Sequence, residues 1–407
     1  MPDDPAFDVV IAGGGMVGAS LAVALAALPL RVLVVEARPP TDAAQPSYDD
    51  RATAVSESSR RILEGIGCWA RLADRAAPIR AVHVSERGAF GATRLRAADH
   101  DLESFGYVLE NRVIGQALWE GIEAAGDLAA WAPATVVGLE QGEGQIDVLI
   151  DRGDAAPATV SAKLLVAADG AGSPVRTMAG IAHQVRDYGQ SAVIANVTPA
   201  VDPAGTAFER FTPSGPLAVL PLTERRATIV WTLSPEHAAA QAEQSDAGFL
   251  AALQAAFGYR LGVFRKVGRR ARYPLSLVQS QAWHAGRVVL VGNAAHGIHP
   301  VAGQGFNLGL RDVAVLAELV ARGGDPGASE LLEEYAEWRE EDRARTVRDT
   351  DGLVQLFTSD FAPLRAGRRL GLVGLDLLPA ARAAVARRGM GLGGRLPRLA
   401  LGRPLAP

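Results

Sequence analysis

The sequence contains one cysteine, Cys68, among its 407 residues. A single cysteine excludes an intramolecular disulfide and any metal site built from several thiolates. Cys68 follows a helical pattern, which favours a small packed residue over a nucleophile. The first residues, MPDDPAFD, carry acids where a secretory signal would carry bases. We therefore expect a protein of a reducing compartment, located in the cytoplasm.

The sequence also lacks a long hydrophobic run and a large net charge. Its longest apolar stretch, Met16–Leu30, is too short for a bilayer span and contains glycine and proline, so no transmembrane helix is predicted. A net charge of −4 without a zinc-finger or RNA-binding pattern argues against nucleic-acid binding. We find no convincing metal cluster or catalytic triad. The length suggests two domains, or one core with an added lobe.

The first recognisable unit, residues 7–36, has the pattern strand, glycine turn, helix, strand. Its parts are Phe7–Ala12, the turn Gly13–Gly18, a helix over residues 16–28 and Arg31–Val35. The G-x-G-x-x-G spacing of Gly13, Gly15 and Gly18 permits a tight turn, close approach of a pyrophosphate and close helix packing. Glu36 follows the second strand and can accept a hydrogen bond from a ribose hydroxyl. This unit predicts adenine-dinucleotide binding.

A second motif follows a buried strand that ends at Ala168. Asp169 and Gly170 come next, and Ser173 is a candidate N-cap for a helix with Pro174 in its first turn. A well-capped helix start explains the serine and the proline. It does not require Asp169, which we therefore take as the residue that indicates a site.

The third motif lies in residues 288–312. Val288–Val291 is predicted to be a buried strand, a loop follows from Gly292, and an apolar helix stripe begins at Phe306. The free N–H groups of a helix N-terminus suit an anion or an electron-rich carbonyl. The alternative is a tight connection whose glycines serve only sharp turns.

The rest of the chain gives weaker patterns. An amphipathic helix is predicted from Asp50-Arg51 to about residue 65. Two interpretations of Arg51 stay open, a contact with a flavin or phosphate and a simple exposed position. Asn111 begins another helix, with Arg112 and Gln116 on one face. Strands are expected over residues 79–110, 134–150 and 159–168, an antiparallel sheet over residues 185–275, and mostly helices over residues 306–407.

Taken in order, the three motifs resemble those of the class A flavoprotein monooxygenases, the aromatic hydroxylases of the para-hydroxybenzoate hydroxylase type. The first family motif matches Gly13, Gly15, Gly18 and Glu36. The family motif D-G-x-x-S-x-x-R matches Asp169, Gly170, Ser173 and Arg176. Its G-D motif falls at Gly292-Asn293, where asparagine replaces aspartate. The amide of Asn293 keeps an acceptor oxygen for a ribityl hydroxyl.

A closer resemblance is to the 2-polyprenylphenol hydroxylases of ubiquinone biosynthesis. It covers residues 292–312 and includes Arg51-Ala52, Gly106-Tyr107, Asn111-Arg112 and residues 360–365. The resemblance implies bound FAD, NAD(P)H as a transient co-substrate, and O₂ that forms a flavin C4a-hydroperoxide. This species would hydroxylate the ring of a lipophilic phenol, so the cofactor carries the hard chemistry.

The resemblance also implies an α/β fold. We expect a Rossmann-like FAD-binding domain with an inserted antiparallel-sheet substrate domain and a C-terminal helical region. The FAD-binding domain would comprise residues 1–75, 111–184 and 277–350, the substrate domain residues 76–110 and 185–276, and the basic helical segment residues 351–407.

Candidate site residues follow from the same comparison. Beyond the three motifs, the candidate cofactor contacts are Arg51, Arg112, Gln116, Gly303, Gln304, Gly305 and Asn307. The candidate substrate pocket is formed by Leu220, Pro221 and Tyr273. His299 and Pro300 are the candidate catalytic residues, although a hydrogen-bonded structural role is the favoured interpretation of both His296 and His299.

Three questions stay open at this stage. Residues 361–407 hold nine arginines but only one acid, Asp376. This basic composition suits peripheral contact with anionic lipid or with an acidic partner protein of a ubiquinone-biosynthesis complex. The alternative is that these residues form helices packed on the body of the protein. The substrate could instead be a small soluble aromatic compound held by Arg210 or Arg225. The chain could also be a non-catalytic scaffold, for which Asn293 and the basic tail are the support.

Overall fold

The computed structural model describes residues 6–39, 51–88, 92–126, 128–153, 155–297, 304–358 and 379–405. Its elements are numbered here in chain order. A mostly parallel sheet contains, from edge to edge, β18 (His284–Ala285), β19 (Val288–Leu290), β11 (Ala155–Ala167), β1 (Phe7–Ala12), β2 (Val32–Val35) and β8 (Ala129–Trp131). Two further strands, β10 (Ile146–Arg152) and β9 (Thr135–Gln141), continue antiparallel from the first half of β11.

The parallel sheet is buried between helices, as all-parallel strands require. Val9, Val10 and Ile11 of β1 have no exposed surface. They share one hydrophobic core with residues of α1 (Met16–Leu25), α3 (Asn111–Ala124) and α7 (Gln304–Val320). A short helix, α4 (Pro174–Met178), follows β11. This architecture confirms the expected Rossmann-like α/β fold.

A second, largely antiparallel sheet lies beside the first. Its order is β20 (His296–Gly297), β17 (Ala271–Ser280), β12 (His183–Pro199), β15 (Ala227–Leu233), β14 (Gly215–Pro221), β13 (Thr206–Thr212), β5 (Ala81–Glu86) and β6 (Ala92–Arg96), with β16 (Phe264–Val267) paired to β12. The helices α5 (Pro235–Glu243) and α6 (Asp246–Phe257) cover one face. Phe249, Leu253 and Phe257 of α6 pack on the inward residues of β12, β14 and β15.

The predicted helix from Asp50 to residue 65 is wrong in its first half. Ala52–Ser56 forms β3, which pairs with β7 (Gly106–Glu110), and β7 also pairs with β4 (Ala77–Pro78). The helix α2 is limited to Glu57–Gly65, and the Ser56 side chain caps it by accepting from the Ser59 N–H. Pairing with a strand fifty residues later outweighs the local helical pattern.

Two longer helical stretches complete the described chain, α8 (Ser329–Thr358) and α9 (Pro379–Gly389). The helix start expected at Pro379 is thus confirmed. Residues 359–378, which hold the predicted stripe of Leu370, Val373 and Leu377, lie outside the described ranges. None of the helices within those ranges has both the length and the apolar character of a membrane span.

The reactivity of the single cysteine provides a test of this packing. Cys68 is fully buried, and burial raises the pKa of its thiol to about 11. We expect Ellman's reagent at pH 8 to label the native protein at least about 100-fold more slowly than the protein in guanidinium chloride, because the thiolate is both rare and inaccessible. Rapid labelling of the native protein would contradict a packing role.

Candidate functional site

The glycine turn after β1 is built on backbone contacts that side chains would prevent. Gly13 has φ of +103°, and a Cβ there would lie 2.5 Å from the Ala168 carbonyl oxygen at the end of β11. A Cβ on Gly18 would lie 1.9 Å from the carbonyl oxygen of Gly13. Gly15 takes the N-cap position of α1. The first motif therefore brings the helix N-terminus directly against the carboxyl ends of two parallel strands.

Two side chains hold this turn through Gly14, a glycine that the sequence pattern left unassigned. The Gly14 N–H donates to Glu36 Oε2 at 2.5 Å, and the Gly14 carbonyl accepts from Trp119 Nε1 at 3.0 Å. Glu36 is buried, and its other oxygen accepts from the Arg38 N–H. Trp119 comes from α3, which no local pattern connects to the turn. Glu36 thus lies at the turn, and its contact with a ribose hydroxyl stays a prediction.

Asp169 follows β11 and has one satisfied and one unsatisfied oxygen. Its Oδ2 accepts from the Val175 N–H at 3.0 Å, so Asp169 helps to cap α4 together with Ser173, although we expected capping not to require it. Its Oδ1 is buried and has no partner among the described residues. Burial raises the pKa of Asp169, against the opposing effect of its hydrogen bonds. Gly170 beside it has φ of +90° and open space at its Cβ position.

Arg176, the last residue of the second motif, is buried and joins two loops. Its Nη1 donates to the Ala294 carbonyl at 2.8 Å and its Nη2 to the Ala171 carbonyl at 2.9 Å. Burial lowers the pKa of Arg176, although the Asp169 charge opposes this effect. The guanidinium therefore fixes the second motif against the loop of the third.

The third motif packs on the first through Val17. Gly292, with φ of +57°, and Gly309 both face this side chain, and Cβ atoms at these positions would lie 3.1 and 2.7 Å from its methyl groups. Asn293, next to Gly292, is exposed beyond the end of β19. The three motifs found by sequence thus converge at one edge of the parallel sheet.

A buried charge cluster lies behind the third motif. Asp312 of α7 accepts from the Gly292 N–H at 2.8 Å, pairs with His296 Nε2 at 2.7 Å and accepts from Arg339 Nε at 2.6 Å. Burial favours the neutral acid, but the His296 and Arg339 charges and the Gly292 N–H outweigh it and lower the pKa of Asp312. His296 is fully buried, which confirms its interpretation as a structural histidine.

Several candidate contacts have protein partners. The Arg51 guanidinium lies over the Tyr273 ring, 4.5 Å from its centroid. Arg112 pairs with Glu110 at 2.9 Å, and exposed Gln116 donates to Glu120 one turn further along α3. These contacts place Arg51 beside the predicted pocket and Gln116 on an outer helix surface.

Asn307 ties α7 to β3. Its Oδ1 accepts from the Ser56 N–H and its Nδ2 donates to the Ala54 carbonyl, both at 2.8 Å. Gly305 has open space at its Cβ position. His299, Pro300 and Gly303 lie outside the described residues, as does the side chain of Gln304. The catalytic assignment of His299 and Pro300 therefore stays a prediction.

The face of the second sheet opposite α5 and α6 forms a wall of partly exposed and buried residues, part of which packs through Leu220 on a cluster that includes Met390. Along β12, Val193, Ala195 and Val197 are buried under the helices, whereas the alternate residues Ile194 and Asn196 are partly exposed. Leu220 and Tyr273, on strands β14 and β17, belong to the partly exposed face. Pro221 is buried and pairs with Ala227, which packs under the helices. The structure therefore separates Pro221 from the two other predicted pocket residues.

Comparison with known proteins agrees with this geometry. Residues 6–350 match the model of a family described as FAD binding domain. The chain is 39% identical to "Ubiquinone hydroxylase UbiL" of Rhodospirillum rubrum, over 99% of this chain and 94% of that protein. It is 34% identical to "3-demethoxyubiquinol 3-hydroxylase" of Escherichia coli, over 94% and 96%. The chain belongs to the class A FAD-dependent aromatic hydroxylases.

Solved structures support the same fold. The p-nitrophenol 4-monooxygenase PnpA of Pseudomonas putida DLL-E4 superposes with a TM-score of 0.80 at 20% identity, over 96% of this chain and 99% of that one. The residues of the hydroxylase fit FAD: Glu36 lies at the glycine turn, Asp169 has a free buried oxygen, and space is open above Gly170 and Gly305. NAD(P)H is the co-substrate of this enzyme class.

Trp119 gives a test of how the turn is held. Trp119→Phe keeps the aromatic ring but removes the bond to Gly14, and we expect FAD binding to apoprotein to weaken roughly fivefold, equivalent to about 1 kcal/mol. Fluorescence titration with FAD measures this change. Trp338→Phe is the matched control, because it loses an equivalent bond to the Arg395 carbonyl away from the turn. Equal FAD affinities of wild type, Trp119→Phe and Trp338→Phe would contradict the role of Trp119 in holding the turn.

The buried cluster gives a stability test. Asp312→Asn leaves Arg339 and His296 without their carboxylate, and we expect the free energy of unfolding to fall by about 3–5 kcal/mol. Glu341→Gln, which breaks an exposed pair with Arg345, should cost less than about 1 kcal/mol. Because the pKa of Asp312 is lowered by folding, its contribution should persist above pH of about 4 and decline below it. Urea unfolding at pH 7 compares the two variants, unfolding at about pH 3 tests the decline, and equal costs for the two variants at pH 7 would refute the cluster's role.

Proposed function

We propose that this hydroxylase adds an oxygen atom to the aromatic ring of a polyprenylated phenol in ubiquinone biosynthesis. The observation that carries the proposal is the wall of the second sheet, whose Tyr273 lies under the Arg51 guanidinium next to β3. It is lined mainly by small and aliphatic side chains, among them Ile194, Ala218, Leu220 and Val230. Such a surface suits a ring with a hydrocarbon tail. The names of the relatives support the same substrate class.

FAD, once bound and reduced by NAD(P)H, supplies the activation of O₂. The chain's own residues have three other tasks. The glycine turn with Glu36 binds the nucleotide end, and Asp169 and Asn293 offer oxygen atoms at the strand ends. The second sheet excludes water from one side of the ring. The N–H groups at the start of α7 are positioned to stabilise negative charge on an acceptor carbonyl.

The alternative of a small soluble aromatic acid needs an arginine on the wall. Arg210 donates through Nε to the Ala256 carbonyl at 3.1 Å, so it lies on the opposite, helix-covered face. Arg225 is 70% exposed and lies near Asp202 in a surface turn. Neither candidate faces the wall, which favours the lipophilic phenol. The scaffold alternative loses its basis, since the chain belongs to an enzyme family.

A role for the basic segment is part of the same proposal. Arg387 and Arg388 of α9 are exposed, as is Val385 at 44%. Exposed cations beside an aliphatic side chain suit peripheral contact with anionic lipid, where a polyprenyl phenol would be delivered. We propose this contact, a cytoplasmic location and contact with other ubiquinone-biosynthesis proteins together.

Oxygen transfer can be tested directly. Purified protein loaded with FAD is supplied with NAD(P)H and a short-chain prenylphenol under ¹⁸O₂, and the product is analysed by mass spectrometry. We expect nicotinamide oxidation to accelerate on adding the phenol and the product to carry one ¹⁸O atom. Turnover of a soluble benzoate, with no product from the prenylphenol, would contradict the proposed substrate. A hydroxybenzoate run in parallel serves as that comparison.

A further inference from the structure

An acidic residue, Glu209 of β13, lies on the wall, as does Glu86 of β5. The sequence neighbours of Glu209 point to the other face. The Phe208 ring contacts the Phe257 ring at a centroid distance of 5.5 Å, and Arg210 bonds to the Ala256 carbonyl. Because side chains alternate along a strand, Glu209 must face the wall.

The surroundings of Glu209 on this face are apolar. It lies between Ala218 of β14 and Val84 of β5 in the strand register, and Leu220 is the next residue of β14 on the same face. Glu209 is partly exposed, and it has no hydrogen-bond or ion-pair partner among the described residues. A partly exposed carboxyl group without a protein partner among apolar side chains is available to accept a hydrogen bond from a ligand.

Charged groups near the wall do not neutralise this carboxyl group. Those that the described elements bring to this side are Arg51 over the Tyr273 ring, Glu86 of β5, Glu110 with its partners Arg112 and Arg226, and Arg387 and Arg388 of α9, whose Ala386 packs in the same cluster as Leu220. His83, Arg210 and Arg260 lie on or beyond the opposite face. Burial alone raises the pKa of Glu209 to about 7. At neutral pH the group can therefore both hold and release a proton.

We propose that Glu209 accepts the hydrogen bond of the phenol hydroxyl and acts as the general base for ring hydroxylation. This inference rests on the proposed function and names the residue that recognises the hydroxyl. The oxygen atom added to the ring comes from O₂, and NAD(P)H supplies the two electrons through FAD. As the C–O bond forms, the O–O bond breaks, the O–H electron pair moves into the ring and the phenol proton passes to the carboxylate. The attacked carbon then loses its hydrogen as a proton, which ends in the water formed from the second oxygen atom, and the carboxyl group returns its proton to the ring oxygen as aromaticity returns.

The proposed role of Glu209 predicts a binding preference that can be measured without turnover. Oxidised, FAD-loaded protein is titrated with a short-chain prenylphenol and with its O-methyl ether, and the flavin absorbance change reports binding. We expect wild type to prefer the phenol at least about tenfold, because the ether has no proton to donate. In Glu209→Leu, which suits the apolar wall, the preference should fall to about one.

Steady-state kinetics distinguish a role of Glu209 in binding the phenol from a role in accepting its proton. Glu209→Gln keeps an acceptor oxygen, so its KM should stay close to that of wild type, whereas kcat should fall about 100-fold or more. Wild-type kcat should rise with pH through about 7 as the carboxylate forms, and this rise should vanish in Glu209→Gln. Glu236→Gln and Glu236→Leu, exposed on α5 over the opposite face, are the matched controls.

The outcomes distinguish the two levels of the proposal. Wild-type protein that binds and hydroxylates the prenylphenol, with Glu209 variants that match it, would overturn only the role of Glu209. FAD-loaded wild type that responds to no prenylphenol would remove the proposed substrate and this inference with it. Loss of the phenol preference in Glu209→Leu, together with a flattened pH profile in Glu209→Gln, is the expected result.

Discussion

The site depends on the close approach of three backbone segments around Val17. The turn at Gly13 contacts the end of β11 through the Ala168 carbonyl, and Gly292 and Gly309 receive the Val17 side chain. These distances leave no room for Cβ atoms, so the glycines fix how near the strand ends and helix N-termini can come. An extended cofactor with a pyrophosphate needs this proximity, because its phosphates must reach backbone N–H groups. The rest of the cofactor site is arranged around this contact.

The backbone N–H and carbonyl groups that are buried at this end of the sheet need hydrogen-bond partners. Asp312 provides such a partner by binding the Gly292 N–H, His296 and Arg339 at once. Arg176 does the same between the second and third motifs through two carbonyl groups. Neither side chain is exposed to a ligand in this arrangement. Their charges instead hold the loops whose exposed residues, such as Asn293, remain available to FAD.

The sequence predicts the parts of this site that local geometry determines. The spacing of Gly13, Gly15 and Gly18 and the position of Glu36 follow from a strand–turn–helix pattern, and the family resemblance orders the three motifs. Tertiary contacts were not predictable in this way. Residues 52–56 form a strand because β7 pairs with them, and Trp119 reaches Gly14 from a helix more than a hundred residues away. Asp312 carried no local sign, because it lies off the apolar stripe that begins at Phe306.

In the second sheet, the alternation of side chains along each strand determines which residues can contact a substrate. Leu220 and Pro221 are adjacent in sequence but lie on opposite faces, and the same rule places Glu209 and Arg210 apart. An antiparallel sheet can thus pack one face under helices and offer the other to a lipophilic ring. The sequence motifs concern the cofactor, so the substrate face emerges only from strand register.

The most direct test of this account is a crystal structure of the FAD complex with a short-chain prenylphenol bound. The account predicts the phenol ring between the flavin and the wall, in contact with Leu220 and with its hydroxyl group at Glu209. A ring bound elsewhere, or a site closed to the phenol by FAD itself, would contradict it.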